Sequence, residues 1–129
     1  MPQIFMVIAP SAKDTMTQDV LDDLVPKLVE GVEDVFGLRG KNDVVFTAVH
    51  AAYVKGDAAL QLEIRYTAGR DEYHTGQIFD PSRKQQEALA EYLAGVVGGR
   101  LGTRGISLSS ISVWVIPYRG TFFRYWGIT

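Results

Sequence analysis

Apolar side chains in the first third of the chain follow a strand pattern and then a helix pattern. Residues 3–9 are apolar on both faces, which is typical of a strand buried between two layers, and the run ends near Pro10. Residues 20–36 carry apolar side chains at helical spacing, with acidic residues mostly off that stripe, and Gly37 offers the stop. Pro26 lies inside this pattern and is expected to kink or split the helix locally, because its ring removes a backbone hydrogen bond.

Two further strand patterns follow, and they differ in how the strands are buried. Residues 43–54 are again apolar on both faces, and Gly56-Asp57 predicts a turn. From residue 60 to residue 67 apolar and polar side chains alternate, so the third strand has one core face and one polar face. That polar face is expected to meet water or a lumen.

A second helix, a fourth strand and an aromatic tail complete the pattern. Asp80-Pro81 predicts the start of the helix, with the aspartate as N-cap, and Gly98-Gly99 predicts its end. Residues 111–116 predict the fourth strand, which Pro117 closes. Residues 121–129 form an aromatic tail, and we expect it to pack at a subunit interface because an exposed tail of this kind is an aggregation hazard.

The predicted order β-α-β-β-α-β indicates an α+β fold with two helices packed against a four-stranded sheet. The 129 residues suffice for one domain with a core and are too few for two ordinary ones, so residues 1–129 are expected to form a single domain. Two arrangements fit this order. One is a ferredoxin-like sandwich, in which the strands of the two halves interleave, and the other is a pair of β-α-β units packed side by side.

Composition and charge exclude several classes of function. The chain has 13 basic and 15 acidic residues and a formal net charge of -2, so no basic surplus points to nucleic acid as a partner. The absence of cysteine rules out disulfides and thiol nucleophiles, and it favours a cytoplasmic location. The first apolar run is too short to span a membrane and lacks the basic flank of a signal peptide, while two lone histidines make no metal site. We therefore expect no nucleic acid, no membrane and no metal.

Pro2 is the residue best suited to carry chemistry. Aminopeptidases usually remove Met1 before a small residue such as proline, which leaves a free secondary amine at the new N-terminus. The reference pKa of an α-amino group is about 7.7–8.0, and desolvation beside the apolar strand lowers it toward neutrality, where an amine can shuttle protons. The alternative is that Pro2 merely begins an edge strand, where a missing N–H costs little.

Four features together resemble the tautomerase superfamily. They are the Met1-Pro2 start, Pro26 inside the first helix, Leu38-Arg39-Gly40-Lys41-Asn42 before the second strand, and Tyr66-Thr67-Ala68-Gly69-Arg70 after the third. The branches that look most similar are 5-carboxymethyl-2-hydroxymuconate isomerase and the macrophage migration inhibitory factor-like proteins. The resemblance covers roughly residues 1–101, and the final section, residues 115–129, departs from that isomerase.

The resemblance implies a cofactor-independent tautomerase that assembles as a homotrimer and moves a proton in small unsaturated enol or keto carboxylates. In this family the N-terminal proline is the general base, a role that falls to Pro2 here. Arginines hold the substrate carboxylate, and the motif matches assign this role to Arg39 and Arg70. Hydration or decarboxylation of an unsaturated acid by the same amine fits the sequence as well.

Strand directions bring further polar residues toward Pro2. If each β-α-β crossover joins parallel strands, the first two strands begin at the same edge of the sheet. The turn at Gly56-Asp57 then makes the third strand antiparallel, so its far end returns to this edge, where the fourth strand also ends. In a ferredoxin-like order this convergence is partly lost. We expect the following residues to bind substrate at this edge: Arg39, Lys41, Arg70, Tyr73, Tyr118 and Arg119. The alternative for the arginines and the lysine is that they are solvated loop residues.

The main alternative function is a non-catalytic oligomeric binding or interaction protein of the same fold. If Met1 stays in place, the nitrogen of Pro2 is a tertiary amide without basicity, and the expected chemistry cannot occur. Removal of Met1 therefore decides between the two functions.

Overall fold

The structure is a computed structural model that describes residues 2–38, 44–53, 56, 58–70 and 78–119. Five strands and two helices lie within these residues: β1 (Gln3–Ile8), α1 (Gln18–Phe36), β2 (Val45–His50), β3 (Leu60–Arg70), β4 (Ile78–Phe79), α2 (Arg83–Thr103) and β5 (Ile111–Arg119). A short 3-10 turn, Pro10–Ala12, follows β1. The predicted order of helices and strands is confirmed, with the two-residue β4 as an addition that the pattern did not indicate.

The strands form a mixed sheet in which β1 lies between β2 and β3. β1 and β2 are parallel, with Gln3 opposite Val45, whereas β1 and β3 are antiparallel, with Gln3 opposite Arg65. β5 runs parallel to β3, with Leu60 opposite Ile111. Each β-α-β unit therefore keeps its own two strands adjacent, and the two units meet at β1 and β3. The ferredoxin-like alternative is wrong, since that arrangement interleaves the strands of the two units.

Both helices pack on one face of the sheet because each has a buried stripe with a spacing of four residues. In the sheet, the even-numbered residues of β1 and β3 are buried on the same side, and those from Ile4 to Ile8 and from Leu60 to Tyr66 are at most 2% exposed. The helical side chains that meet them are Val20, Leu24, Leu28, Val32 and Phe36 in α1 and Leu89, Leu93, Val97 and Leu101 in α2.

The ends of α1 follow local capping signals. Thr17 is the N-cap, and its side-chain oxygen accepts a hydrogen bond from the Val20 N–H at 3.4 Å. Gly37 ends the helix as predicted, in the left-handed conformation with φ 69°. The helix runs in one piece past Pro26, so the expected splitting is wrong, because the buried stripe on both sides of the proline outweighs one missing backbone bond.

The start of α2 lies two residues beyond the predicted one. Ser82 is the N-cap, and its hydroxyl accepts a hydrogen bond from the Gln85 N–H at 3.1 Å. The Gln85 side chain in turn accepts one from the Ser82 N–H at 2.8 Å, which completes a capping box. Asp80 is therefore not the N-cap, since the serine with a glutamine three residues later satisfies two free donors at once.

The end of α2 also lies beyond the predicted one, because the helix passes through Gly98-Gly99. Leu101 beyond them is 2% exposed, and Arg100 forms an ion pair with Asp23 of α1. This packing outweighs the roughly 1 kcal/mol by which each glycine disfavours a helix relative to alanine.

β5 likewise runs further than predicted. Pro117 does not close the strand but lies within it, opposite Tyr66, and pairing continues to Arg119 opposite Ala68. In the described part of the chain β5 pairs with β3 alone, so the missing N–H of Pro117 costs little at a sheet edge.

The second face of the sheet, called the open face below, is covered by neither α1 nor α2. Its large apolar side chains are exposed: Val45 by 43%, Val49 by 37%, Trp114 by 58% and Tyr118 by 48%. Gln61, Glu63 and Arg65 form the polar row that alternation in the third strand predicted. Arg65 Nε donates to Glu63 Oε2 at 2.8 Å, so the charges of this row offset each other.

Candidate functional site

Pro2 is buried and lies directly before β1, at the edge of the sheet formed by the strand ends, where β1 and β2 begin. Its carbonyl oxygen accepts a hydrogen bond from the Val45 N–H, with an N···O distance of 3.1 Å. The register of β1 and β3 ends with Gln3 opposite Arg65, and Tyr66 is the next residue of β3 in the direction of Pro2. The main chain at Pro2 is thus held by β2 on one side and lies beside β3 on the other.

Three aromatic rings contact one another on the helix side of this edge, and we call them the aromatic cluster. Phe36 comes from the last turn of α1, Tyr66 from β3 and Phe79 from β4. The ring centroids are 5.1 Å apart for Phe36 and Tyr66, and 5.7 Å apart for each pair that includes Phe79. All three pairs meet edge to face, an arrangement that aromatic rings favour. The helix side of the sheet is therefore aromatic near the residue of β3 that follows Arg65.

The sequence pattern did not single out the aromatic cluster. Phe36 was assigned to the buried stripe of α1, and Tyr66 to the core face of the third strand. Phe79 lies in a short segment without periodicity, and its one signal is an aromatic residue directly before Asp80-Pro81.

The strand directions are those from which convergence at Pro2 was predicted. β1 and β2 begin at one edge, and β3 and β5 end there. Arg119 lies two residues beyond Pro117, which is level with Tyr66. Arg70 lies four residues beyond Tyr66, so its Cα is about 13 Å farther along β3 at about 3.3 Å per residue. Both arginines lie beyond the level of Pro2 on its side of the sheet, and their roles stay predictions.

Three other predicted site residues, Arg39, Lys41 and Tyr73, lie outside the described residues. Tyr118 is described and is 48% exposed on the open face, opposite Thr67. The Pro2 ring continues the alternation of β1 on the helix side of the sheet. Within one chain the Tyr118 and Pro2 side chains therefore lie on opposite faces.

Arg65 is the arginine that the register places nearest to Pro2 among the described residues, and the sequence analysis did not consider it. Its guanidinium carbon lies 4.9 Å from the centroid of the Phe5 ring, on the open face. Glu63 accepts hydrogen bonds from its guanidinium, which directs the charge away from the Pro2 edge. The Arg65 guanidinium is thus held on the open face by Glu63 and the Phe5 ring.

Other parts of the described chain add no competing centre. No group of three metal-binding side chains occurs among the described residues. No described helix is long and apolar enough to cross a membrane. A shallow cleft of about 290 Å³ lies at the opposite edge of the sheet, lined by Ala9, Pro10, Ser11, Ala52, Tyr53, Gly56 and Ala58, and these residues carry no charge.

Two β-α-β units with adjacent parallel strands, joined through antiparallel central strands and backed by helices on one face, make up the tautomerase-type fold. The fold predicted from the sequence is therefore confirmed.

Comparison with known proteins supports this at the level of the fold. No protein-family model matches the chain, and no curated protein matches it in sequence. A solved structure of a fused 4-OT asymmetric trimer aligns at 17% identity over 98% of this chain and 94% of its own, with a TM-score of 0.64. A malonate semialdehyde decarboxylase aligns at 13% identity over 97% and 91%, with a TM-score of 0.59. A macrophage migration inhibitory factor-like protein from Entamoeba histolytica aligns at 13% identity over 96% and 94%, with a TM-score of 0.59.

Proposed function

We propose that this protein is a tautomerase that moves a proton in small unsaturated enol or keto carboxylates, with Pro2 as the general base. The observation that carries the proposal is the buried position of Pro2, at the sheet edge where β3 and β5 end. Apolar surroundings lower the pKa of an amine, so a larger fraction of the amine is unprotonated at neutral pH and can act as a base. The tautomerase-type fold of the chain agrees with this function.

In the proposed reaction the Pro2 amine takes a proton from one position of a conjugated acid and returns it to another, so substrate and product are isomers. Arg39 and Arg70 hold the carboxylate and stabilise the negative charge on the enolate oxygen, as bidentate guanidinium groups can. Lys41, Tyr73, Tyr118 and Arg119 complete the substrate site. No cofactor takes part, and a cytoplasmic location stays a prediction from the absence of cysteine.

We infer that the protein assembles as a homotrimer through the open face. Support comes from the exposure of Val45 and Val49 on β2 and of Trp114 and Tyr118 on β5, on either side of the polar row of β3, since exposed apolar side chains on an uncovered sheet face mark an interaction surface. The structural neighbours include fused 4-OT trimers. In such an assembly Tyr118, which faces away from Pro2 of its own chain, is available to the site of a neighbouring copy.

The state of the N-terminus and the activity of a Pro2 variant test the proposal together. Intact mass of protein from its native host is expected to show that Met1 is absent. Turnover of 2-hydroxymuconate-type acids, followed by the loss of enol absorbance, should fall about 10²-fold in Pro2→Ala, the lower range for general acid-base catalysis. Pro10→Ala, at an exposed proline in the 3-10 turn, is the matched control and should keep wild-type turnover.

A retained Met1, or unchanged turnover in Pro2→Ala, contradicts the proposal and favours the non-catalytic oligomer. Unsaturated acids that undergo hydration or decarboxylation belong in the same substrate panel. Product analysis then separates these reactions from isomerisation, because only isomerisation conserves the mass of the substrate.

Substitution of the arginines tests their proposed role. Arg39→Ala and Arg70→Ala should each lower kcat/KM about 10- to 100-fold, since a hydrogen bond to a charged group contributes about 1.5–3 kcal/mol. Arg83→Ala is the matched control, because Arg83 is highly exposed on α2 and pairs with Glu87. Unchanged kcat/KM in both arginine variants would mean that the carboxylate binds elsewhere.

A further inference from the structure

The end of β3 is held by a different partner from the rest of the strand. β3 pairs with β1 as far as Arg65 and with β5 as far as Ala68. Its last two residues, Gly69 and Arg70, pair instead with the two residues of β4. Within the described ranges, β4 is the only strand that pairs with them. The backbone position of Arg70 therefore depends on where β4 lies.

β4 is too short to keep this position by backbone pairing alone. It has two residues, and even an isolated two-stranded hairpin is at best marginally stable in water. Phe79 supplies the further contact, because its ring meets Phe36 of α1 and Tyr66 of β3 edge to face, with a centroid distance of 5.7 Å to each. Phe36 is 7% exposed and Tyr66 is 2% exposed, so both belong to the core. Phe79 thus anchors β4 to α1 and to the central part of β3.

The chain directly after β4 is fixed independently of Phe79. Gln86 Nε2 donates a hydrogen bond to the Pro81 carbonyl oxygen at 3.2 Å, and the capping box at Ser82 fixes the start of α2. This second anchor stays in place when the Phe79 side chain is shortened. Loss of the ring is therefore expected to displace β4 and the end of β3 without unfolding them.

We propose that Phe79 is a positioning residue for carboxylate binding, because through β4 it sets the place of Arg70 at the end of β3. The proposal rests on the function proposed above, since it needs Arg70 to hold the substrate carboxylate. A guanidinium binds a carboxylate best when two parallel N–H···O bonds are aligned, so a small displacement of the backbone weakens the contact. Phe79 acts through β4 and does not itself touch the substrate.

The steady-state kinetics of Phe79→Ala with 2-hydroxymuconate-type acids give the first test. KM should rise about 3- to 10-fold, a part of the loss expected for Arg70→Ala. The value of kcat should stay within about threefold of the wild type, because a contact to the carboxylate acts in the bound substrate as well as in the transition state. Phe79→Leu keeps much of the apolar contact and should give a smaller rise in KM.

Tyr92→Ala is the matched control for the loss of a ring. Tyr92 is 49% exposed where α2 meets α1, and it lies ten residues after the N-cap Ser82, about 15 Å along α2 at about 1.5 Å per residue. Its removal costs packing between the helices without touching β4. KM should therefore stay at the wild-type value.

A double-mutant cycle with Arg70→Ala tests whether Phe79 acts through that arginine. In the Arg70→Ala protein, Phe79→Ala should change kcat/KM by less than about twofold, because the contact that it displaces is already absent. A merely structural role of Phe79 would instead lower kcat/KM by the same factor in both backgrounds.

Calorimetric titration with adipate, a saturated dicarboxylate that cannot tautomerise, gives a readout without turnover. Phe79→Ala should weaken adipate binding about 3- to 10-fold, in line with the rise in KM, and Tyr92→Ala should leave it unchanged.

The outcomes separate this inference from the proposed function. Weaker adipate binding in Phe79→Ala supports the positioning role, and if the wild type shows no turnover the isomerase function alone is refuted. Turnover that depends on Pro2, together with unchanged KM and adipate affinity in folded Phe79→Ala, supports the isomerase and overturns the positioning role. Equal losses in the two Arg70 backgrounds also overturn it, as does adipate binding that Arg70→Ala leaves unchanged. If Phe79→Ala does not fold, Phe79→Leu carries the same comparisons, with a smaller rise in KM expected.

Discussion

Gly31 is the position where the packing of α1 against α2 can be tested most sharply. A Cβ atom added there would lie 2.8 Å from Tyr92 Cε1 and 3.0 Å from Leu93 Cδ2. Leu93 is fully buried and has no room to withdraw, whereas the Tyr92 ring is 49% exposed and can give way in part. Gly31→Ala therefore forces α1 and α2 apart or displaces the buried Leu93 side chain.

Two opposing contributions decide the free energy of unfolding of Gly31→Ala. Alanine favours a helix interior over glycine by about 0.8–1 kcal/mol. Overpacking a well-packed core costs about 1–3 kcal/mol. We therefore expect a net destabilisation of about 1 kcal/mol. Gly98→Ala in α2 is the matched control, because a Cβ there has no atom within 4 Å and should stabilise the protein by up to about 1 kcal/mol.

Urea unfolding of both variants at one protein concentration measures the difference, with an unchanged m-value as the sign that only stability has moved. In the Gly31→Ala background, Tyr92→Ala removes the shortest contact and should cost less than it does in the wild type. If Gly31→Ala stabilises the protein as much as Gly98→Ala does, the close approach of α1 and α2 at Gly31 is refuted.

Two further predictions concern charge. Hydrogen bonds from Arg100, and to a smaller extent from Arg104, hold the pKa of Asp23 below its ordinary value of 3.8. The ionised form of Asp23 therefore stabilises the fold above pH 3.8, and this contribution is lost as the pH falls through the lowered pKa. The melting temperatures of wild type and Asp23→Asn should differ at pH 6 and converge as the pH falls through the lowered pKa of Asp23; a constant difference would contradict this. Trp114→Glu places a second carboxylate opposite Glu63 on the open face and should dissociate the oligomer in sedimentation equilibrium, whereas Tyr92→Glu outside that face should not.

Strand direction is the part of the candidate site that could be predicted. Apolar periodicity located two strands around each helix, and the crossover rule then made each pair parallel. The antiparallel turn between the units followed from a short connection, so the edge shared by Pro2, Arg70 and Arg119 could be derived before the structure. Which face each side chain takes at that edge depends on register, and for Tyr118 it differs from that of Pro2.

The aromatic cluster could not be predicted in the same way. Phe36, Tyr66 and Phe79 come from three elements separated along the chain, and their contact depends on a helix end, a strand and a two-residue strand meeting at one point. A local pattern carries no information about such a meeting, because each ring is accounted for within its own element.

The sequence by itself determined the order of the elements, the buried stripe of each helix, the glycine that ends α1 and the two faces of β3. These features depend on neighbours within a few residues, where spacing and conformational preference act directly. Tertiary structure decided the end of α2, the passage of β5 through Pro117 and the surroundings of Pro2. For the end of α2, the burial of Leu101 and the ion pair of Arg100 with α1 outweigh the local preference of about 1 kcal/mol against each glycine in a helix. Pro117 and Pro2 likewise depend on pairing with strands that are distant along the chain.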